Sequence, residues 1–263
     1  MDINLQGKKA FVCGSTQGIG KAAAFELANL GASIVLLARN EDSLKQVKDE
    51  LNQSQNQRHD YIVADFSSPD ELKNKVAEYL GKNPSPVHIL INNTGGPAAG
   101  KLIDARLQEF ADAFQAHLIC NQILAQSLLD GMKAEKYGRI INVISTSVKQ
   151  PIPNLGVSNT IRGAVAAWAK TLAGELGEFG ITVNNVLPGF TQTQRLQSII
   201  ENKANKTGDS IEQVEKEMRG ETPAKRFAAS SEVADAIAFL ASPAASYING
   251  INLPVDGGRT TSL

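Results

Sequence analysis

The stretch "CGSTQGIGKA", Cys13 to Ala22, places Gly14, Gly18 and Gly20 between an apolar run and a helix-forming run. With no side chain at those three positions, the loop through Ser15, Thr16, Gln17 and Ile19 can bring its backbone against a pyrophosphate. The N-terminus of the following helix then offers unpaired N–H groups and the positive end of its dipole. The spacing is G-x-x-x-G-x-G rather than G-x-G-x-x-G, so its meaning rests on the strand before it and the helix after it; a plain tight turn is the alternative. A second place for chemistry is the loop "STSVKQPIP". There Lys149 could reach a carbonyl oxygen or an acid group, on a segment stiffened by Pro151 and Pro153; a solvent-facing lysine is the alternative. The two cysteines, Cys13 and Cys120, form no C-x-x-C pair, and no metal site is expected.

Positioning these residues requires a regular frame, and the chain supplies one. "KAFVC", "ASIVLLA", "HDYIVAD", "VHILINN", "RIINVI", "TVNNVLP" and "NGINLPVDGG" read as seven strands. Helix-patterned stretches separate them, among them "KAAAFELANLG", "EDSLKQVKDELNQ", "SPDELKNKVAEYLGK" and a long helix from about Leu155 to Leu176. That alternation predicts a single α/β domain over residues 1–263: a Rossmann-type, doubly wound, parallel seven-stranded sheet with helices on both faces. One segment, 191–226, breaks the rhythm. It is rich in Gln, Glu, Lys and Asn and reads as one weakly amphipathic helix, either a solvated insertion or a mobile lid over the carboxyl edge of the sheet. A net charge of -1 argues against nucleic-acid and anionic-membrane partners, no signal peptide or apolar membrane span is seen, and a reducing cytoplasm is expected.

Taken in order, the glycine loop, Asp65 after the third strand, "NNTGG" (Asn92 to Gly96), Ser145 after the fifth strand, "PGFTQT" (Pro188 to Thr193) and "VDGG" (Val255 to Gly258) resemble the short-chain dehydrogenase/reductase family over nearly the whole chain. The resemblance implies a nicotinamide dinucleotide. It sets Asp65 and the Phe66 backbone near the adenine, Asn93, Thr94 and Gly95 along the ribose, and Pro188, Gly189 and Thr191 near the nicotinamide. The end of the second strand bears on which dinucleotide. A carboxylate there would accept both ribose hydroxyls and select NAD, but the position is Ala38, and Arg39 beside it can pair with a 2′-phosphate. NADP is favoured and NAD stays possible, because Arg39 can also be a surface residue, and Glu41 and Asp42 lie close by.

Members of the family typically carry Ser, then Tyr-x-x-x-Lys on the next helix, with an Asn on the helix before. In this chain the tyrosine place falls on Ser158, the lysine place on Arg162 and the asparagine place on His117; Ser145 alone matches. Seryl hydroxyl is too weak an acid and too short to replace a tyrosine. Arg162 keeps a positive charge on the same helix face, and His117 can donate a proton through water or be a packed helix residue. The resemblance therefore implies an NADP-dependent reductase of a small-molecule ketone or 3-oxoacyl thioester with an atypical active site. A catalytically weak, regulatory NADP-binding protein and non-redox chemistry in the same pocket remain as alternatives. It also implies a homo-oligomer, most simply a tetramer, for which Ile161, Val165, Trp168 and Leu172 offer an apolar helix face.

Overall fold

The computed structural model describes residues 1–262. Seven parallel strands run β1 (Lys9–Cys13), β2 (Ser33–Ala38), β3 (Asp60–Val63), β4 (Ile89–Asn92), β5 (Gly138–Val143), β6 (Ile181–Pro188) and β7 (Asn252–Val255), in the spatial order β3-β2-β1-β4-β5-β6-β7. Strands covered on both faces must be apolar on both, and side chains that alternate along each strand divide them between two cores. Ala10, Val12, Ile34, Leu36, Ile89, Ile91, Ile141 and Val143 meet one layer: α1 (Gly18–Asn29), α2 (Glu41–Glu50) and α9 (Ser230–Ala241). Phe11, Cys13, Val35, Leu37, Leu90, Ile140 and Val183 meet the other, made by α3 (Pro69–Lys82), α5 (Cys120–Ala134) and α6 (Gly156–Leu176).

The strand order reverses direction between β1 and β4. Connections from those two strands leave to opposite sides, and the carboxyl ends open a crevice there. Every motif named above sits on that edge.

Two expectations need correction. The 191–226 segment is not one helix but two, α7 (Gln194–Thr207) and α8 (Ile211–Gly220), packed on a small core of Leu196, Ile200, Ala204, Val214, Met218 and Phe227. Their apolar residues are sparse because each helix buries only a narrow stripe, which weakens the periodic signal. The proposed apolar face of α6 is mostly inside the subunit: Ile161 and Val165 are buried and Trp168 and Leu172 partly so. Exposed large apolar side chains lie instead at Leu102, Ile103, on α4 (Leu107–Phe114) at Leu107 and Phe114, and at Ile119.

Candidate active site

The glycine loop is built by close approach. Gly14, at φ +58, would drive a Cβ to 2.6 Å from the Asn93 carbonyl oxygen. At Gly20 a Cβ would strike the Gly14 carbonyl and come 2.7 Å from Asn93 Nδ2. A Cβ on Gly18, at φ +54, would meet the Thr193 methyl at 3.1 Å, and an L side chain adopts that left-handed backbone only at a cost of about 1–2 kcal/mol. Asn93 ties the loop down, its Nδ2 donating to the carbonyls of Cys13 and Gly14, each at 3.3 Å. Buried Ser15 points its hydroxyl at the Leu37 carbonyl, 3.5 Å away, Thr16 and Ile19 are half-buried, and Gln17 is exposed at the N-cap of α1. The Gln17 side chain caps nothing, so the first amides of α1 stay open toward the crevice.

Arg39 follows β2 on the rim, exposed, and among the described residues no carboxylate holds it. The nearby Glu41 is otherwise engaged. Glu41 accepts from the Tyr61 hydroxyl at 3.0 Å and pairs with Lys45 at 3.0 Å, and Asn40 caps α2 by accepting from the Ser43 amide. Asp65 accepts from the Ser67 amide at 2.9 Å, which with the Arg39 charge holds its carboxyl below the usual range. The backbone carbonyl of Phe66 accepts from Cys120 Sγ.

At the other end of the crevice, Ser145 follows β5 and caps the short turn Thr146–Val148. Its Oγ accepts from the Ser147 amide at 3.1 Å, which leaves its own proton free to be given. Ser158 lies half-buried in the first turn of α6, and Arg162 lies one turn later on the same face. An open groove of about 640 Å³ is lined by Lys101, Leu102, Pro151 and the residues flanking Ser158 in α6. Arg162 is only 8% exposed, and its Nη1 donates to the Val143 carbonyl at 3.2 Å. Burial, reinforced by the Arg195 charge, lowers its pKa to about 10, so it remains a cation at neutral pH.

His117 stands on a π-helical turn, Gln115–Ile119, inserted between α4 and α5, a distortion that often marks a functional position. It is 2% exposed, and burial, with the Arg162 charge beside it, pushes its pKa down to about 2. The ring is therefore neutral, hydrogen-bonded to the Gly95 backbone and within the field of the Arg162 charge. Thr94 and Gly96 are half-buried and Gly95 exposed in the loop after β4. Pro188 and Gly189 close β6, where a Cβ on Gly189 would lie 2.7 Å from Asp256 Cα, and buried Thr191 donates to the Gly189 carbonyl. Lys149 is half-buried just past the Thr146–Val148 turn.

One feature of the edge was not read from the sequence. Asn92, Asn142, Asn185 and Asn252 stand at matching register on β4, β5, β6 and β7. Each amide donates to the next, Asn92 to Asn142, Asn142 to Asn185 and Asn185 to Asn252, all at 2.8 Å. The signal was one Asn in each of four strands, at the end of β4, near the end of β5, within β6 and at the start of β7, so that only the register brings them into line.

Residues 14–260 match the family model described as Enoyl-(Acyl carrier protein) reductase. The chain belongs to the short-chain dehydrogenase/reductase family. Among its curated relatives is the NADPH-dependent reductase BacG of Bacillus subtilis, 29% identical over 97% of this chain and 99% of the relative. Another, the 3-oxoacyl-[acyl-carrier-protein] reductase FabG of Vibrio cholerae, is 33% identical over 97% and 98%. Among solved structures, the L-sorbose reductase of Gluconobacter frateurii complexed with NADPH and L-sorbose superposes with a TM-score of 0.92 at 30% identity and full coverage of both chains. Among the described residues of this family member, no helix is long and apolar enough to cross a membrane.

Proposed function

We propose that this chain is an NADP-dependent oxidoreductase that reduces a ketone or 3-oxoacyl carbonyl with an atypical proton supply. The observation that carries this reading is the crevice at the β1/β4 reversal. Three glycines there, two packed on Asn93 and one on Thr193, leave room where any Cβ would intrude, and an unpaired Arg39 waits on the rim. The cradle fits a dinucleotide pyrophosphate at the N-terminus of α1, and Arg39 fits a 2′-phosphate through its planar fork. NADPH-binding relatives support that choice. When bound, the dihydronicotinamide supplies a hydride to a carbonyl carbon.

The chain's own residues then have the developing oxygen charge to manage. Ser145 donates its free proton in a hydrogen bond to that oxygen, and buried Arg162 stabilises the alkoxide through a low-dielectric path. Ser158 is too weak an acid to finish the transfer, and neutral His117 has no acidic proton to give at pH 7. Water reaching the oxygen delivers the proton. The cost of lacking a positioned acid is about 10²–10⁴ in rate.

Residues 191–226 act as the lid in this scheme. Its base is stitched by a bridge between Thr191 and Ala228, and Arg195 Nη2 reaches across the site to donate to the Pro97 carbonyl at 2.7 Å. Cys13 and Cys120 are free and buried, with burial raising both thiol pKa values, which suits a reducing compartment such as the cytoplasm. The exposed apolar residues from Leu102 to Ile119 suit burial in a homo-oligomer, a tetramer by family habit.

The test is an NADPH-oxidation assay over a panel of ketones and 3-oxoacyl thioesters, with product identified. Reduction that falls in Arg162→Ala supports the proposal. Tight NADPH binding with no consumption over the whole panel replaces it with a regulatory or non-redox role.

A further inference from the structure

The arginines that hold carboxylates in this molecule are Arg106, Arg219, Arg226 and Arg259. Among the described residues neither Arg162 nor Arg195 has one, although the two converge. A methyl group placed on Gly96 would lie 3.8 Å from Nη2 of Arg162 and 3.8 Å from Nη2 of Arg195, so the two nitrogens are at most twice that distance apart. One comes from α6 under the crevice and the other from α7 in the lid, and both approach Gly96, which puts no side chain in the space beside them.

Two like charges this close, one of them nine-tenths buried, repel, and burying a cation without a partner is costly. The Val143 carbonyl and the Pro97 carbonyl each take one N–H. A guanidinium has five, in a fork that matches a carboxylate. The arrangement is at ease only when an anion stands between the arginines.

We infer that Arg162 and Arg195, across Gly96, form a carboxylate subsite, and that the carbonyl compound reduced here is an oxo acid whose carboxylate is gripped by both arginines. This deepens the reductase reading and rests on it for the reaction, though not for the binding. It also gives α7 a part in holding the substrate, because Arg195 already spans the crevice to the Pro97 carbonyl.

The experiment compares each of three small oxo acids, 2-oxobutyrate, acetoacetate and levulinate, with its own amide. Binding to the NADPH-loaded full chain is read from NADPH fluorescence, and turnover from NADPH consumption. At least one acid is expected to bind tenfold or more tightly than its amide, with that ratio falling toward one in Arg195→Ala and inverting in Arg195→Glu. Arg162→Lys should keep part of the ratio and Arg162→Met lose it. Because Arg195 is exposed on α7, its variants fold even if Arg162→Met does not. Equal binding of every acid and amide, or a preference that survives both Arg195 variants, overturns the subsite. If acids bind through the arginines but no hydride is transferred to any carbonyl, the subsite stands and the reductase reading fails. Reduction of the amides as fast as the acids does the reverse.

Discussion

Asn142→Ala cuts the amide ladder at its centre, and the loss can be worked from the contacts. The side chain is fully buried, accepts from Asn92 Nδ2 at 2.8 Å and donates to Asn185 Oδ1 at 2.8 Å. Truncation removes two hydrogen bonds and orphans two buried partners, each left unsatisfied at about 1–3 kcal/mol, for a total of about 2–6 kcal/mol. That is a large part of a domain's stability of about 5–15 kcal/mol. Urea unfolding at fixed protein concentration, followed by circular dichroism and by the single tryptophan, Trp168, measures it. Coincident transitions license a two-state value. The double variant Asn142→Val with Asn185→Val should cost less than the sum of the singles, because each single leaves a partner that the double removes. The ladder ties the end of β4 through β5 and β6 to the start of β7, one residue before Asn93 and three before Ser145, so NADPH affinity should fall with stability. A loss under about 0.5 kcal/mol with an unchanged m-value would refute the idea that these amides are desolvated partners.

Arg39→Ala should erase the preference for NADPH over NADH in titration calorimetry; equal dissociation constants in the wild type would remove the basis for assigning Arg39 to the 2′-phosphate. Ser158→Tyr with Arg162→Lys should raise turnover of simple neutral ketones by about a hundred- to a thousandfold, within the range of about 10²–10⁴ that a positioned acid supplies; an unchanged rate in a folded double variant would show that proton supply is not limiting. His88 and His117 are held neutral mainly by burial, with pKa values of about 4 and about 2, against about 6.5 in the unfolded chain. The unfolded state therefore binds protons first, and stability present above pH 6.5 is lost as pH falls toward the folded values. Each histidine contributes about 1.4 kcal/mol per pH unit below that point. Urea midpoints at pH 7.5 and 5.5 check this, and His117→Asn should flatten the slope.

The sheet and the cradle were legible because they are local. An apolar strand, glycines at fixed spacing and a helix that begins on them lie within a dozen residues, and seven repetitions of strand and helix leave few topologies. What lay beyond reach depends on register or on distant packing. The fold reveals the asparagine ladder only when β4, β5, β6 and β7 are laid side by side. α9 was not read at all, although "SSEVADAIAFLA" carries its own periodicity, because it follows an irregular polar insertion and packs on α1 from far along the chain. The π turn at His117 extends a helix by one residue per bond without altering its composition. Lastly, the α6 face read as free is apolar because it lies against the subunit's own interior, a distinction periodicity cannot make.

Transfer of the hydride itself is the most direct test of the reductase reading. NADPH deuterated at the reactive position of the nicotinamide, incubated with the wild-type chain and the best carbonyl of the panel, should yield an alcohol carrying deuterium on its carbinol carbon. The rate should lie far below that of tyrosine-bearing relatives and be cut further by Arg162→Ala. An alcohol without the label, or NADPH that stays bound and unconsumed while the pocket transforms a substrate by another route, would contradict it.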